Sequence, residues 1–281
     1  MLFRSQALAI RAFDYFTLVQ LYQFNYKGHE DAPGVPIITS ENAEEVAANG
    51  CARSTVKETY EFILGDLNKA IELLANTKKT RSDKRYVSLD VAYGIRARVH
   101  LTMHNYADAL KDAEAALAST SSVPYSSAAV SKPTFIDIED ASWMWGILIT
   151  DKDRVSTTGI CNFPSHMGSL NYGYASVGGW RRISPKLYNQ IPESDVRKGW
   201  FLDDTGVSVN LPAAAQAYIT KKGAPVYTQV KYGPMNDEWG SNNNATDVIL
   251  MRVEEMYLIK AEAQAMNNDV SGGVGSEEHT S

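Results

Sequence analysis

Cysteine is scarce in this sequence, and its two copies do not form a recognisable motif. Cys51 and Cys161 lie far apart among the 281 residues, with no CxxC pair and no histidine cluster beside them. Zinc sites normally need cysteine or histidine ligands at short spacing, so a structural zinc ion is not expected. The two cysteines are compatible with one long-range disulfide or with two buried free thiols, and their number leaves the compartment open.

Positive charge is also in short supply. The chain has 27 Lys and Arg against 33 Asp and Glu, which gives a formal net charge of −6 at pH 7. Proteins that bind nucleic acids usually present a basic face, so no nucleic-acid partner is expected. The one basic stretch, residues 77–87, has no aromatic platform and is interpreted as a solvated loop between helices.

Long apolar runs are absent too. No stretch reaches the roughly 18 apolar residues of a membrane-spanning helix, and Met1 begins within a helical pattern rather than a secretory leader. Two interpretations stay open. The protein is cytoplasmic, or the chain lacks its natural N-terminus.

Motifs of catalysis are missing as well. There is no HExxH, GxSxG, phosphate-binding loop or dinucleotide fingerprint, and the five histidines have no metal-binding spacing. Three acidic pairs are the only candidates for glycoside hydrolysis: Asp203-Asp204, Asp151/Asp153 and Glu193/Asp195. Ordinary surface acids are the simpler interpretation, and Asp195 is predicted to pair locally with Arg197. No metal site and no cofactor are therefore expected, and a helical glycosidase, which would need a facing carboxylate pair, stays an alternative at this point.

What the sequence does contain is helical periodicity, and its centre is the stretch 91–119. This stretch predicts two short helices joined at residues 104–105. In the second, Tyr106, Ala109, Ala113 and Ala116 recur at spacings of three and four, which places them on one helix face. Such spacing is typical of the second helix of a tetratricopeptide repeat, which buries its face only by stacking on further helix pairs.

Three other segments predict long helices. Residues 2–22 are apolar most of the way round, which indicates an interior helix. Thr55 and Glu58 form a capping box that starts a helix running to about Asn76, with Asp66 predicted on its wet side. Residues 248–266 give the last clear helix, and the intervening segment 23–53 is predicted to be a loop.

The amino-acid composition changes between residues 119 and 247, where most of the Gly, Pro and Trp lie. Short strands are predicted at 141–150 and 226–232, with a short helix at 185–190. Residues 267–281 lack an apolar stripe and are predicted to be disordered. The predicted fold is thus all-α, as one domain across 1–281. Residues 1–118 and 248–266 form a tetratricopeptide-like α/α superhelix, and residues 119–247 form a loop-rich insertion with short strands on the ligand side.

Aromatic side chains in that insertion form the candidate binding site. Tyr172 and Tyr174 precede Trp180 in a glycine-rich loop, and aromatic faces on a loop suit the apolar face of a sugar ring. The alternative is that these rings fill a core, as large aromatics often do. The predicted ligand-binding residues are Asn171, Tyr172, Tyr174, Trp180 and Arg181, with Trp239 as a second choice. Trp143 and Trp145 alternate in an apolar run and are predicted to be structural.

Four blocks of sequence resemble the SusD/RagB family, in the order that the family has them. The blocks are residues 9–16 with Leu21-Tyr22 and Gly34-Val35-Pro36; residues 53–56 with 60–63, 66–67 and 70–71; the helix pair 91–119; and residues 252–263. Two shorter elements, Asp195-Val196-Arg197 and Lys231-Tyr232, lie between the last two blocks. Together the blocks span residues 9–263.

The resemblance implies a function as well as a fold. SusD-like proteins are non-catalytic nutrient-binding lipoproteins on the outer-membrane surface, tethered by a lipidated N-terminal cysteine. They deliver oligosaccharides, or in some members peptides, to a TonB-dependent SusC-like barrel transporter. We therefore expect an oligosaccharide or polysaccharide ligand, a SusC-like partner and contact with the membrane only through a lipid anchor. That anchoring cysteine and the family's first helices are expected to lie outside this chain.

Two alternatives remain at this level. One is a peptide-binding member of the same family. The other is a cytoplasmic tetratricopeptide scaffold for protein interactions, which would have helix pairs throughout and a concave groove lined by Asn, Lys and Arg. The long aromatic, glycine-rich insertion counts against the scaffold.

Overall fold

The computed structural model describes residues 2–77, 81–157 and 162–277. Its α-helices are α1 (Leu2–Tyr22), α2 (Ala43–Asn49), α3 (Val56–Ala75), α4 (Leu89–Thr102), α5 (Tyr106–Ser119), α6 (Ser127–Val130), α7 (Phe163–Met167), α8 (Pro185–Tyr188), α9 (Ala213–Lys221), α10 (Val253–Met266) and α11 (Val270–Glu277). The strands are β1 (Trp143–Ile147) and β2 (Val248–Arg252), which pair with each other. Short 3₁₀ turns lie at Arg154–Thr157, Ala175–Val177, Val196–Trp200 and Met235–Asp237. The helix-rich fold class with a small amount of strand is as predicted.

The chain forms two compact units. The helical unit comprises Met1–Ser122 and Met251–Ser281, and the loop-rich unit comprises Val123–Leu250.

Helices pack in successive pairs within the helical unit. The helix α1 packs against α3, α4 packs against α5, and α10 contacts both α5 and α11. On α5 the predicted small-residue face is fully buried, because Ala109, Ala113 and Ala116 all have no exposed surface. Side chains this small let the backbones of neighbouring helices come close, as stacked repeat units require.

The start of α3 is set by its capping box, as predicted. The Thr55 hydroxyl accepts a hydrogen bond from the Glu58 backbone N–H at 3.1 Å, and the Glu58 carboxylate accepts one from the Thr55 N–H at 2.8 Å. Two of the backbone donors that a helix leaves unpaired at its start are satisfied in this way. The predicted apolar stripe is buried along its whole length: Val56, Tyr60, Ile63, Leu67, Ile71 and Leu74.

The prediction for Asp66 was wrong. Its carboxylate is buried between α3 and α1, where the Arg11 guanidinium donates two hydrogen bonds at 2.7 and 2.8 Å. These hydrogen bonds raise the pKa of Arg11 above its ordinary value. Asp66 is thus buried even though helical periodicity places it outside the apolar stripe, because Arg11 of the neighbouring helix α1 supplies its counter-charge.

Further ion pairs join the other helices of this unit. Arg96 of α4 donates to Asp112 of α5 at 2.6 and 2.7 Å. Arg98 of α4 binds Glu255 of α10 through two hydrogen bonds of 2.5 Å. Both guanidinium groups are held in a fork geometry that fixes orientation as well as charge.

The predicted helix 248–266 is present, but it begins later than predicted. Residues 248–252 form strand β2, and the helix begins only at Val253. Glu254 and Glu255 occupy the first turn of α10, where carboxylates interact favourably with the positive end of the helix dipole. The run of apolar residues 248–251 does not distinguish a strand from a buried helical turn.

The end of the described chain also differs from its prediction, because residues 270–277 form α11 rather than a disordered tail. Glycine explains both the packing and the missed helix. A Cβ at Gly273 would lie 2.8 Å from the Ala261 carbonyl oxygen, so only glycine allows α11 this close to α10. The Ser276 hydroxyl also donates to the Gln264 side-chain oxygen at 2.6 Å.

Four shorter segments complete the comparison. The predicted loop 23–53 contains α2, and residues 226–232 contain only isolated bridges because Tyr227 has φ +66°, which interrupts an extended strand. The strand and short helix predicted at 141–150 and 185–190 are present as β1 and α8. Trp143 and Trp145 are buried, as expected of structural residues.

The cysteines are only partly described. Cys51 is exposed rather than buried, and Cys161 lies outside the described residues. Residues 81–87 of the basic stretch form an irregular segment in which Arg85 pairs with Asp83, while residues 78–80 lie outside the described part.

Replacing Asp66 by Ala should lower the free energy of unfolding by about 2 kcal/mol, because it leaves Arg11 without its charged acceptor. Glu72→Ala removes an exposed ion pair with Lys69 on the same helix and should cost less than about 0.5 kcal/mol. Urea unfolding followed by circular dichroism measures both variants. Equal losses would contradict a structural role for the Arg11–Asp66 pair.

Candidate functional site

The glycine-rich loop 169–182 rests on an apolar cluster in the loop-rich unit. The buried members of this cluster are Leu170, Leu202, Ala215, Ile219 and Val230. Trp180 and Trp239, two of the predicted ligand-binding residues, pack against the cluster and are half-buried. Their rings therefore anchor the loop and also leave part of their surface exposed.

Tyr172 and Tyr174 are the most exposed of the predicted residues, with 48% and 47% of their surface accessible. Asn171, which lies between Leu170 and Tyr172, is fully buried. Its side-chain N–H group donates to the Asn244 amide oxygen at 3.0 Å, and this bond ties the loop to residues 240–244. The structure thus orients Asn171 inward, as a support, and the two tyrosines outward.

The backbone around Tyr174 is held in several places. Its N–H donates to the Ser165 hydroxyl at 2.9 Å, and its carbonyl accepts from the Gly179 N–H at 3.0 Å. A Cβ at Gly179 would lie 2.7 Å from the Tyr174 ring, so the ring packs directly on the glycine backbone. The His166 ring lies 5.2 Å from the Tyr174 ring, between centroids.

The loop around Tyr172 is hydrogen-bonded to residues 240–241, which lie far along the chain. The Tyr172 N–H donates to the Ser241 carbonyl at 2.9 Å, while the Gly240 N–H donates to Leu170. Gly240 has φ +83° and lies against the Tyr218 ring, since a Cβ there would be 2.4 Å from that ring. The Tyr218 hydroxyl donates to the Asn171 carbonyl at 3.3 Å.

One cation lies beside the tyrosines, and a second is held by the backbone of His166. The Lys222 ammonium is 5.5 Å from the centre of the Tyr172 ring and 5.8 Å from that of Tyr218. The Arg181 Nε donates to the carbonyl of His166, the residue whose ring packs near Tyr174. The loop therefore combines exposed aromatic faces with nearby positive charge.

Sequence reasoning missed Lys222, Tyr218 and His166. Lys222 and Tyr218 belong to α9 and its C-terminal end, about 50 residues from the loop, and α9 itself was not predicted. No local pattern connects these residues with Tyr172, because the contact depends on the fold of the intervening chain.

The acidic pairs considered for hydrolysis are engaged in local contacts. Asp195 accepts hydrogen bonds from the Arg197 guanidinium at 2.7 to 3.1 Å, which confirms the predicted pair, and this lowers the pKa of Asp195. Asp203 accepts the N–H groups of Thr205 and Val207, and Asp153 accepts that of Thr150. These carboxylates organise the turns that contain them.

A second concave feature lies in the helical unit. A groove of about 400 Å³ runs between α1, α4 and α10 and is lined by apolar residues such as Phe16, Leu101 and Ile259. Arg98 and Glu255 also line it and bind each other. Within the described part of the chain, no helix combines the length and the hydropathy needed to cross a bilayer.

Comparison with known proteins finds SusD-like relatives. A SusD-like family model, described as "starch-binding associating with outer membrane", matches residues 1–101. The SusD-like protein P2 of Formosa agariphila is 25% identical over an alignment of 295 positions, which covers 96% of this chain and 52% of that protein. These similarities support the SusD-like family predicted from the sequence.

Solved structures agree with this assignment. A SusD-like carbohydrate-binding protein from Bacteroides vulgatus superposes with a TM-score of 0.75 at 25% identity, over 98% of this chain and 54% of that one. A SusD superfamily protein from Bacteroides thetaiotaomicron has the same fold, with a TM-score of 0.67 at 23% identity over 97% and 56% of the two chains. This chain thus spans about half the length of the relatives that it matches.

Gly179→Ala should displace the Tyr174 ring and lower the free energy of unfolding by about 1–3 kcal/mol, because the added methyl overlaps that ring. Gly65→Ala is the matched control, since it lies in the exposed interior of α3 with free space around it. It should raise stability by about 0.5–1 kcal/mol through helix propensity. Chemical unfolding of both variants tests the contact, and a stabilised Gly179→Ala would contradict it.

Proposed function

We propose that this chain is the glycan-binding part of an outer-membrane nutrient-uptake protein. In this proposal it binds oligosaccharide without catalysis and delivers it to a SusC-like TonB-dependent barrel transporter. Support comes from the SusD-like family and from the relative in Bacteroides vulgatus that is described as carbohydrate-binding. The observation that carries the proposal for this chain is the pair of half-exposed tyrosines on a loop fixed by buried hydrogen bonds.

Sugar rings have apolar faces of C–H groups that stack on aromatic rings, while their hydroxyls need hydrogen-bond partners. Tyr172 and Tyr174 offer such faces, together with phenolic hydroxyls. The Asn171–Asn244 bond and the close packing of Gly179 on Tyr174 hold both residues in place, so little loop ordering is needed on binding. Trp180 and Trp239 are assigned to the inner edge of the site and Arg181 to its polar rim.

The peptide-binding alternatives are less well supported. A tetratricopeptide scaffold would present unpaired Asn, Lys and Arg along its groove, whereas the groove between α1, α4 and α10 has its arginine bound to Glu255. The described lining of this groove mixes apolar side chains with Thr, Gln and Glu, and it includes no Asn or Lys. A peptide digest is nevertheless the appropriate second ligand set in a binding experiment.

Tyr172→Ala and Tyr174→Ala should each weaken glycan binding about 10- to 100-fold, the equivalent of about 1–3 kcal/mol for a lost anchor ring. Quenching of tryptophan fluorescence by soluble polysaccharides measures this, because Trp180 and Trp239 pack under the loop. Trp180→Ala should weaken binding as well, with a loss of stability from the apolar cluster that thermal unfolding would register separately.

Tyr86→Ala provides the matched control. Tyr86 is 45% exposed and lies beside the Arg85 guanidinium, but it belongs to the helical unit. Its replacement should leave glycan affinity unchanged. Saturable quenching by peptides alone would favour the peptide-binding alternative, and glycan affinity that survives both loop substitutions would place the site elsewhere.

A further inference from the structure

The positive charge beside the candidate loop has no carboxylate partner. The described residues place no acidic group within 4 Å of the Lys222 ammonium or the Arg181 guanidinium. Arg96 and Arg98 in the helical unit, by contrast, are each paired with a carboxylate.

Lys222 is placed by packing rather than by an ion pair. Its ammonium lies near the Tyr172 and Tyr218 rings at 5.5 and 5.8 Å, distances at which a cation is attracted to the electron-rich ring face. Tyr218 is itself fixed through its hydrogen bond to Asn171 and its contact with Gly240. The charge is therefore held next to the most exposed ring of the loop.

From this geometry we propose that the glycan bound at this loop is acidic, with a carboxylate or sulfate that binds Lys222 while the sugar ring stacks on Tyr172. This inference rests on the proposed glycan-binding function. An anionic sugar approaching a negatively charged protein needs a local cation, and Lys222 supplies it without first breaking an existing ion pair. Arg181 provides a second positive group, held by its hydrogen bond to the His166 carbonyl.

A structural role for Lys222 is the competing explanation. The residue follows the last turn of α9, where a positive charge interacts favourably with the helix dipole. Lys221 occupies the same helix end and shares that role, but it has no contact with the tyrosine rings. The two lysines therefore form a matched pair for separating ligand binding from helix stabilisation.

The experiment titrates the protein with polygalacturonate, a sulfated galactan, neutral galactan and starch, at low and high NaCl concentration. We expect at least one acidic polysaccharide to bind tenfold or more tightly than its neutral counterparts, with affinity that falls as salt rises. Lys222→Met keeps the aliphatic stem and should reduce that binding about tenfold and flatten its salt dependence. Lys221→Met should change neither property, and thermal unfolding establishes that both variants are folded.

Each outcome has a defined meaning. Preference for polygalacturonate identifies a carboxylate as the group bound, and preference for the sulfated galactan identifies a sulfate. Equal binding of acidic and neutral glycans, or equal effects of the two lysine substitutions, would overturn the assignment to Lys222. If the neutral glycans bind and Tyr172→Ala abolishes this binding, the proposed function stands and only the acidic preference fails. Absence of binding by any glycan would remove both.

Discussion

The packing of α10 against α5 is the interaction on which the helical unit depends. Ala109, Ala113 and Ala116 of α5 have no exposed surface, and α10, more than 130 positions further along the chain, packs against the same helix. A helix pair of this kind has no core of its own. The chain must therefore return to the helical unit after residues 123–250 before α4 and α5 are fully packed. The ion pair between Arg98 and Glu255 adds a directional contact to the same closure.

Much of the helical unit follows from local chemistry that a sequence displays directly. The capping box at Thr55 and the stripe of α3 combine a start signal with a period of 3.6, and both are found in the structure. Elements without such signals were missed for physical reasons. The helix α11 was not predicted because it contains several glycines, whose low helix propensity is offset only by the close contact with α10. The burial of Asp66 depends on Arg11 from a helix 55 positions away, which a single stripe does not reveal.

The candidate site shows the same division. Aromatic and glycine content located the loop, but composition could not distinguish a side chain that points outward from one that points inward. Asn171 turned out to be buried, whereas Tyr172 and Tyr174 are exposed. The residues that frame the loop, Tyr218 and Lys222, come from a helix with no recognisable link to it in sequence. Contacts of that kind exist only once the intervening chain has folded.

The buried hydrogen bond between Asn171 and Asn244 has a kinetic consequence. A loop that is already fixed before its ligand arrives does not need to rearrange, so association is limited by diffusion and orientation and not by a slow conformational step. Differences in affinity between ligands then arise mainly in their dissociation rates. Under the proposed function, a rigid and partly open platform allows rapid capture together with rapid release, because neither step has to wait for the loop to fold or unfold.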